Sequence, residues 1–427
     1  MRKSVLIPVI GLFFTYSIQA QNNLDYYINQ AKQNSPLIFE NANLNKINDL
    51  EIQRIRAQYA KPQIGLTANY LFAPIISDNN NQLKFEANSA GASNYYGYDL
   101  GDTNGGQYQA FVSITQPLFN AGKIAAADEQ IDIYKQINQN NTKLTEHEIE
   151  KVVADQYILC LQDNSQIRSI QEMLELLTEQ KAVLQKLVEN NIYKLSDYTL
   201  LNIEYQDYLS QLKSCETSYL SHLLDLNIIC GINDTALVQL EKADISLKPG
   251  NPNSRFDEKF RLDSLNLVAQ QKVFELNYKP QLNLYANTGL DALIISDIPQ
   301  RFGFSAGFTF TYPLFDGNQK KINKNKTTIL KKTLAFQKNN FDKQNLLQKT
   351  KIADELQSLD QRIRIAENQL NEYNSLLEIY KKEIQTGELS IINYLSVLKN
   401  IHQLKSEYNL LLFKKQAVIN TYNYWSW

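Results

Sequence analysis

Over much of its length this chain has little with which to make turns. Of 427 residues only 15 are glycine and ten proline, and neither is evenly spread. No proline falls between 118 and 248 or after 313, and no glycine falls from 123 to 230 or from 318 to 386. These residues punctuate a chain, so the two stretches that lack them are expected to be long helices. A helix from about 121 to 190 would extend on the order of 100 Å at ~1.5 Å per residue, far beyond a compact core. Eleven of the 15 glycines lie between 65 and 122 or between 289 and 317, which assigns extended or irregular structure to those regions.

Reactive residues are equally scarce. The three cysteines, Cys160, Cys215 and Cys230, form no paired motif, and an odd number suits buried thiols better than a disulfide framework. The three histidines, His147, His222 and His402, are scattered with no metal-ligand spacing. No GxSxG, HExxH or phosphate-binding loop is present. The sequence therefore predicts no enzyme, no metal and no cofactor. Acidic pairs such as Asp354-Glu355 fall on helical stretches and read as solvated faces. The 43 basic and 45 acidic residues nearly balance, which argues against nucleic acid or another polyanion as partner.

What is present begins with an export signature. Arg2 and Lys3 precede an apolar run from Val5 to Phe14, and Ile18-Gln19-Ala20 offers a small residue for cleavage before Gln21. Residues 1–20 are expected to be a cleaved signal peptide, too short to span a bilayer. No cysteine stands beside the cleavage point, so no lipid anchor is expected. Removing Arg2 and Lys3 leaves 41 basic against 45 acidic residues, a net charge near −4.

The helical stretches carry a 3-4 apolar stripe of the kind that faces partner helices in a left-handed coil. Leu356, Leu359, Ile363, Ala366, Leu370, Tyr373, Leu377, Tyr380 and Ile384 make one arm. Beyond Gly387 the stripe resumes as Tyr394, Val397, Ile401, Leu404, Tyr408 and Leu411, with Lys415 an exception before Val418 and Tyr422. In the first half one arm runs from Ile167 to Val188 with Lys181 interrupting. The other runs Tyr198, Leu201, Tyr205, Tyr208, Leu212, Cys215, Tyr219, His222, Leu226 and Ile229. Each half thus predicts two long helices joined by a short turn, near 190–197 and 386–391.

Between the coils the period changes to two. Ile64, Leu66, Ala68, Tyr70 and Phe72 alternate with polar residues in a strand over about 63–73. Tyr108, Ala110, Val112 and Ile114 do so over about 107–116, although Phe111 breaks the polar face. Leu282, Leu284, Ala286 and Leu290 mark a third strand over about 281–290. Phe302, Phe304, Phe308, Phe310 and Tyr312 mark a fourth over about 302–312. About ten residues is the length that crosses a hydrocarbon layer when tilted. A soluble half-buried sheet would show the same alternation, but so aromatic a face is costly in water. In lipid, four strands cannot close, and every open edge leaves backbone groups unpaired. Copies of the chain would have to pool their strands.

The two halves repeat one another. "KPQIGL" at 61 and "KPQLNL" at 279 open the strand pairs, and "TQPLFNAGK" at 115 and "TYPLFDGNQ" at 311 close them. Proline suits a strand terminus that needs no further ladder bond, and Asn120 or Asp316 is expected to cap the following helix. The extra length of the first pair, roughly 74–106, reads as an exposed loop with little periodicity. The organisation expected is a first repeat at 21–230, a linker at 231–255 and a second repeat at 256–427. The linker offers a belt around the coils.

These features together resemble the TolC-like outer-membrane efflux proteins. The resemblance covers essentially the whole mature chain: the duplicated helix-strand-strand-helix order, the "PLF" exits at Pro117–Phe119 and Pro313–Phe315, and "TGELSIINYL" at the second turn. It implies a mainly α fold with a membrane β-barrel part. Three chains would give a homotrimer with a 12-stranded barrel in the outer membrane of a Gram-negative bacterium, and an α-helical barrel would continue it through the periplasm. It implies as partners a periplasmic adaptor, an inner-membrane pump and outer-membrane lipid, with no chemistry of its own. The lipid-facing residues would be Tyr70, Phe72, Phe302, Phe304, Phe308 and Phe310. The adaptor would dock at Asn191, Ile192, Tyr193, Lys194, Leu195, Ser196 and Asp197, and at Gly387, Glu388, Leu389 and Ser390. Asn191 stands where glycine is usual and tolerates a left-handed backbone.

The resemblance also places a periplasmic gate at Ile384, Asn393 and Ser396. Two rings of aspartate in the best-known member align with Asn393 and Ser396, and its tyrosine and arginine locks align with Ile384 and Leu389. The expectation is a closed state held by packing rather than by ion pairs. A second reading from a different class remains open, a secreted coiled-coil structural protein or adhesin whose strands form a small soluble sheet.

Overall fold

A computed structural model describes residues 23–79, 82–87, 94–98, 106–249 and 254–427. The signal peptide expected at 1–20 lies outside the described residues, as do parts of the 74–106 loop and of the 231–255 linker. The elements run α1 (Leu24–Gln33), α2 (Pro36–Ala60), β1 (Gln63–Phe72), β2 (Ile75–Asn79), β3 (Gln82–Glu86), β4 (Tyr95–Tyr96) and β5 (Gly106–Leu118). They continue with α3 (Ala121–Glu189), α4 (Leu195–Cys230), α5 (Arg255–Leu276), β6 (Gln281–Ala292), a 3-10 turn (Ile295–Gln300), β7 (Phe302–Thr311), α6 (Gln319–Thr386) and α7 (Ile391–Trp425). The fold is mainly helical: α3 and α4, with a turn at 190–194 between them, fill the first stretch that lacks glycine and proline, and α6 fills the second. No described helix is long and apolar enough to cross a membrane.

The chain divides into two compact units. The first comprises Met1–Phe39, Thr142–Phe256 and Phe341–Trp427, and the regular elements among its described residues are all helices. Its core follows the apolar stripe: Leu359, Ala366, Leu377, Ile384, Tyr394, Val397, Ile401, Leu411 and Val418 are all buried. The two lysines that interrupt the stripe sit there with partners. Lys181 donates to Asn202 Oδ1 at 2.7 Å and lies over the Tyr205 ring, while Lys415 pairs with Asp360 at 2.7 Å. The stripe fails at Ile229, which is 39% exposed, because the last turn of α4 presents Cys230 to the core instead. His222 holds Asp163 Oδ2 at 2.5 Å, a contact between helix side chains.

The stretch 231–249 has no regular structure, and the helices hold it by their side chains. Tyr219 Oη donates to Val238 O at 2.7 Å, Tyr157 Oη to Glu241 O at 2.6 Å and Asn423 Nδ2 to Ser246 O at 2.9 Å. In return, Ile245 N donates to Gln416 Oε1 and Lys248 N to Asn423 Oδ1, at 2.6 and 2.8 Å. A backbone without a ladder must find partners somewhere, and amide and phenol groups supply them. Leu240 is pressed into the core beneath.

The second unit comprises Glu40–Asn141 and Asp257–Asn340. It contains a four-stranded antiparallel sheet in the order β1-β5-β6-β7, and a three-stranded sheet in the order β3-β2-β4. The latter corrects the expectation of four strands and a structureless 74–106 loop. Its strands have two to five residues, too short to declare a period. Polar contacts tie the helices in the order of their strands: α2 to α3 through Arg56–Asp128 (2.9 Å) and Lys135–Asp49 (2.5 Å), α3 to α5 through Gln270–Tyr134 (3.1 Å), and α5 to α6 through Asn323–Gln271 (2.7 Å).

The two "PLF" exits differ in detail. In the first, β5 runs through Pro117 and the chain turns at Phe119, whose φ is +58°. In the second, β7 ends before Pro313, and Gly317 and Asn318 take the positive φ values, +65° and +67°. Asp316 caps α6, its Oδ2 accepting from Lys320 N at 2.8 Å. The Asn120 side chain instead donates to Tyr59 O at 3.3 Å, and the backbone oxygen of Asn120 accepts from Lys123 N and Ile124 N in the first turn of α3.

Candidate functional sites: a two-faced sheet and a pair of helix-end turns

Directly opposed residues of an antiparallel pair share a face, so the register decides whether the four alternations agree. They do. Ile64, Leu66 and Ala68 stand opposite Ile114, Val112 and Ala110, which stand opposite Ala286, Thr288 and Leu290. Those three stand opposite Ala306, Phe304 and Phe302, while Leu284 and Leu282 meet Phe308 and Phe310. Tyr70 meets Tyr108, with ring centroids 5.0 Å apart, and Phe72 meets Gly106. One face of the sheet is therefore apolar across all four strands but for Thr288 and Gln116, and all six predicted lipid-facing residues lie on it. Among the described residues nothing covers that face, and Phe304 is 91% exposed.

The other face carries Gln63, Thr67, Asn69, Gln109, Ser113, Asn283, Asn287, Asp291, Ser305 and Thr309. Three bulky residues intrude on it, Leu71, Phe111 and Tyr285, and the last two stand opposite glycines, Gly289 and Gly307. A Cβ on Gly289 would lie 2.0 Å from Ala110 O, and one on Gly307 would lie 2.7 Å from Tyr285 Oη. The rims of the sheet, β1 and β7, have one neighbour each.

The second constellation lies in the helical unit, where α3 turns into α4 and α6 into α7. Both turns use one backbone device. After α3, Ile192 N donates to Leu187 O and Asn191 N to Val188 O, at 2.9 and 3.0 Å; after α6, Glu388 N donates to Glu383 O and Gly387 N to Ile384 O, at 3.0 and 3.3 Å. This is the paired cap that closes a helix around one left-handed residue. Asn191 (φ +57°) and Gly387 (φ +79°) are those residues. Asp197 then caps α4, its carboxylate accepting from Lys194 N at 3.0 Å.

The turns touch each other. Tyr193 Oη donates to Leu389 O at 2.5 Å, and a Cβ on Gly387 would meet Ile192 Cγ2 at 2.8 Å. Ile384 and Leu389 are buried in one cluster with Leu184, Leu201, Ile391, Tyr394 and Leu398. Asn393 and Ser396 are exposed, as are Asn191, Ile192, Lys194, Leu195, Ser196, Gly387, Glu388 and Ser390. Among the described residues, no group of three or more His, Cys, Asp or Glu could hold a metal ion. Burial pushes the Cys160 and Cys230 thiols up to about 12, which leaves them inert.

No protein-family profile and no curated protein matches the chain in sequence. Solved structures match it in fold. The outer membrane protein VceC of Vibrio cholerae aligns over 93% of this chain and 94% of its own, with 15% identity and a TM-score of 0.66. The Campylobacter jejuni CmeC outer membrane channel aligns over 95% and 86%, with 10% identity and a TM-score of 0.67. The Neisseria gonorrhoeae MtrE outer membrane channel in its open state aligns over 94% and 88%, with 10% identity and a TM-score of 0.64.

Proposed function

We propose that this chain, whose fold is that of the TolC-like outer-membrane channels, is the exit duct of a multi-component efflux or secretion system. Three copies would close a barrel of twelve strands in the outer membrane. Substrates handed over by an inner-membrane pump and a periplasmic adaptor would pass through it passively. The observation that carries this reading is the register of the four-stranded sheet. It puts every apolar alternation on one bare face and leaves both rims unpaired. Such a sheet is stable in lipid only when its rims meet those of other copies.

The helices of the same unit support closure at the same seam. The outermost two are α2, with no buried residue, and α6, on which Ile322, Ile329 and Phe336 are exposed at seven-residue spacing. Ile47 and Leu50 of α2 are exposed too. The apolar flank of α6 would meet α2 of the next copy. The shared order of helices and strands in the two halves fits descent from one duplicated unit, with boundaries at 21–230 and 256–427 and a cleaved leader at 1–20.

The paired turns, Asn191–Asp197 and Gly387–Ser390, are the proposed docking points for the adaptor. The gate would lie beside them at Ile384, Asn393 and Ser396. With asparagine and serine in place of acids, its closed state would rest on packing of Ile384 and Leu389, and its mouth would bind divalent cations weakly. The duct itself performs no chemistry.

Fractionation tests the reading. The protein should stay with outer membranes through high-salt and carbonate washes and run as a trimer before heating. A water-soluble monomer would defeat it and favour the adhesin alternative. Photocrosslinkers at Tyr193 and Glu388 should capture a periplasmic adaptor.

A further inference from the structure

Basic residues gather where helices meet the sheet. Lys61 stands between α2 and β1, Lys123 in the first turn of α3, Lys279 between α5 and β6, and Lys320, Lys321, Lys324 and Lys326 in the first two turns of α6. All four junctions are basic. Aromatic side chains accompany them: Tyr59, Phe119, Tyr278, Tyr312 and Phe315. Acid is sparse: within two helical turns of the strand ends lie Asp128, which pairs with Arg56, Glu275, which accepts from Gln271, and Asp316. The Asp316 carboxylate is already engaged by Lys320 N and by the Tyr278 hydroxyl, and these bonds hold its pKa below the ordinary value.

The lysines are not committed elsewhere. Lys123 lies over the Tyr59 ring, 5.4 Å from its centroid. Among the described residues no carboxylate forms an ion pair with Lys61, Lys279, Lys320, Lys321, Lys324 or Lys326, and all six are exposed. At ~100° per residue, Lys320, Lys321 and Lys324 spread over one side of α6 and Lys326 lies on the other. Cationic groups therefore face outward whichever way the helix is turned in an assembly.

We propose that these junctions form a basic and aromatic collar that binds the anionic headgroups of the periplasmic leaflet. The inference rests on the barrel reading, which puts the strand ends at that leaflet. Headgroups occupy only several ångströms beyond the hydrocarbon core, which is the depth of one or two helical turns past the strand ends. Aromatic rings prefer that boundary, and each lysine near an anionic surface adds attraction that salt weakens. The partner is an anionic phospholipid; a zwitterionic lipid offers phosphate but cancels its charge.

The test is lipid selectivity of the full-length trimer in phosphatidylcholine vesicles, read by electron paramagnetic resonance of spin-labelled lipids. Labelled phosphatidylglycerol should be held about fivefold more strongly than labelled phosphatidylcholine, and 1 M salt should erase most of the preference. Replacing Lys61, Lys279, Lys320 and Lys321 together by glutamine should bring the ratio close to one, while arginine at the same positions should keep it. Equal retention of both lipids by the unsubstituted trimer, or a preference unchanged in the glutamine variant, would overturn the collar. Should the glutamine variant fail to assemble, the salt titration of the unsubstituted trimer decides: a preference that high salt leaves intact overturns the proposal. Failure of the barrel reading looks different, because then no motionally restricted lipid of either kind appears.

Discussion

The hydroxyl of Tyr193 donates to the carbonyl oxygen of Leu389, joining the turn after α3 to the turn after α6. A single phenol thus links two turns 196 residues apart in sequence, beside the buried pair Ile384 and Leu389. A hydrogen bond of this kind contributes about 1 kcal/mol net. Tyr193→Phe should therefore speed hydrogen exchange at the amides of 388–391 by about fivefold while leaving α1 and the 231–249 stretch unchanged. Uniform exchange across the unit would show that the turns are not coupled through this bond.

Gly387 makes a sharper prediction. Its φ of +79° disfavours any side chain, and a Cβ would press on Ile192 Cγ2. Gly387→Ala should lower stability by about 1–2 kcal/mol, measured by chemical unfolding of the purified protein. Adding Ile192→Ala should recover only the part due to contact, since the backbone cost stays. Asn191→Gly at the matching position should be neutral or slightly stabilising.

In the sheet the contrast lies between two glycines. Gly289→Ala drives a Cβ against the β5 backbone at Ala110 O, whereas Gly65→Ala meets nothing within 4 Å. The first should abolish the heat-sensitive band expected of the proposed trimer on gels, and the second should leave it intact. Equal behaviour of the two would mean that assembly does not depend on the β5-β6 register.

How much of this was legible in the sequence differs by element. The long helices were, because glycine and proline are absent over 123–230 and 318–386, and the one break inside these stretches, at 190–194, turns on Asn191. So were the four main strands, each declaring its own period. Their agreement on one face was not, because register is a relation between strands. Ile229 misled because an apolar residue of correct spacing says nothing about how the last helical turn closes. The tie from Tyr193 to a carbonyl has no sequence signature at all. The basic junctions were readable, yet the near balance of 43 against 45 charges averaged them away.

His402 predicts a pH dependence. Burial, and then the charge of Lys405, hold its pKa below the usual 6.5. The folded protein thus binds this proton less readily than the unfolded chain. The neutral ring costs nothing above 6.5, and stability should fall as pH drops below that value. Glu150 acts in a lower window: the His147 ring, 3.8 Å away, and the bond from Lys32 at 2.6 Å hold its pKa at about 2, so its contribution fades only below the ordinary 4.5. Melting temperatures taken from about pH 8 to 5 should decline less in His402→Gln than in the unsubstituted protein.

Last, the stretch 231–249 is fastened by Tyr157, Tyr219, Gln416 and Asn423, which grip mostly its peptide groups. Peptide groups are the same whatever side chains they bear. Apart from Ile232, Val238, Leu240 and Ala243, which pack on the core, Gly231 with its φ of +64°, and Asp244, which accepts from Gln416, the letters of this segment are thus freer to drift over generations. The memory of where it lies is written in the helices that hold it.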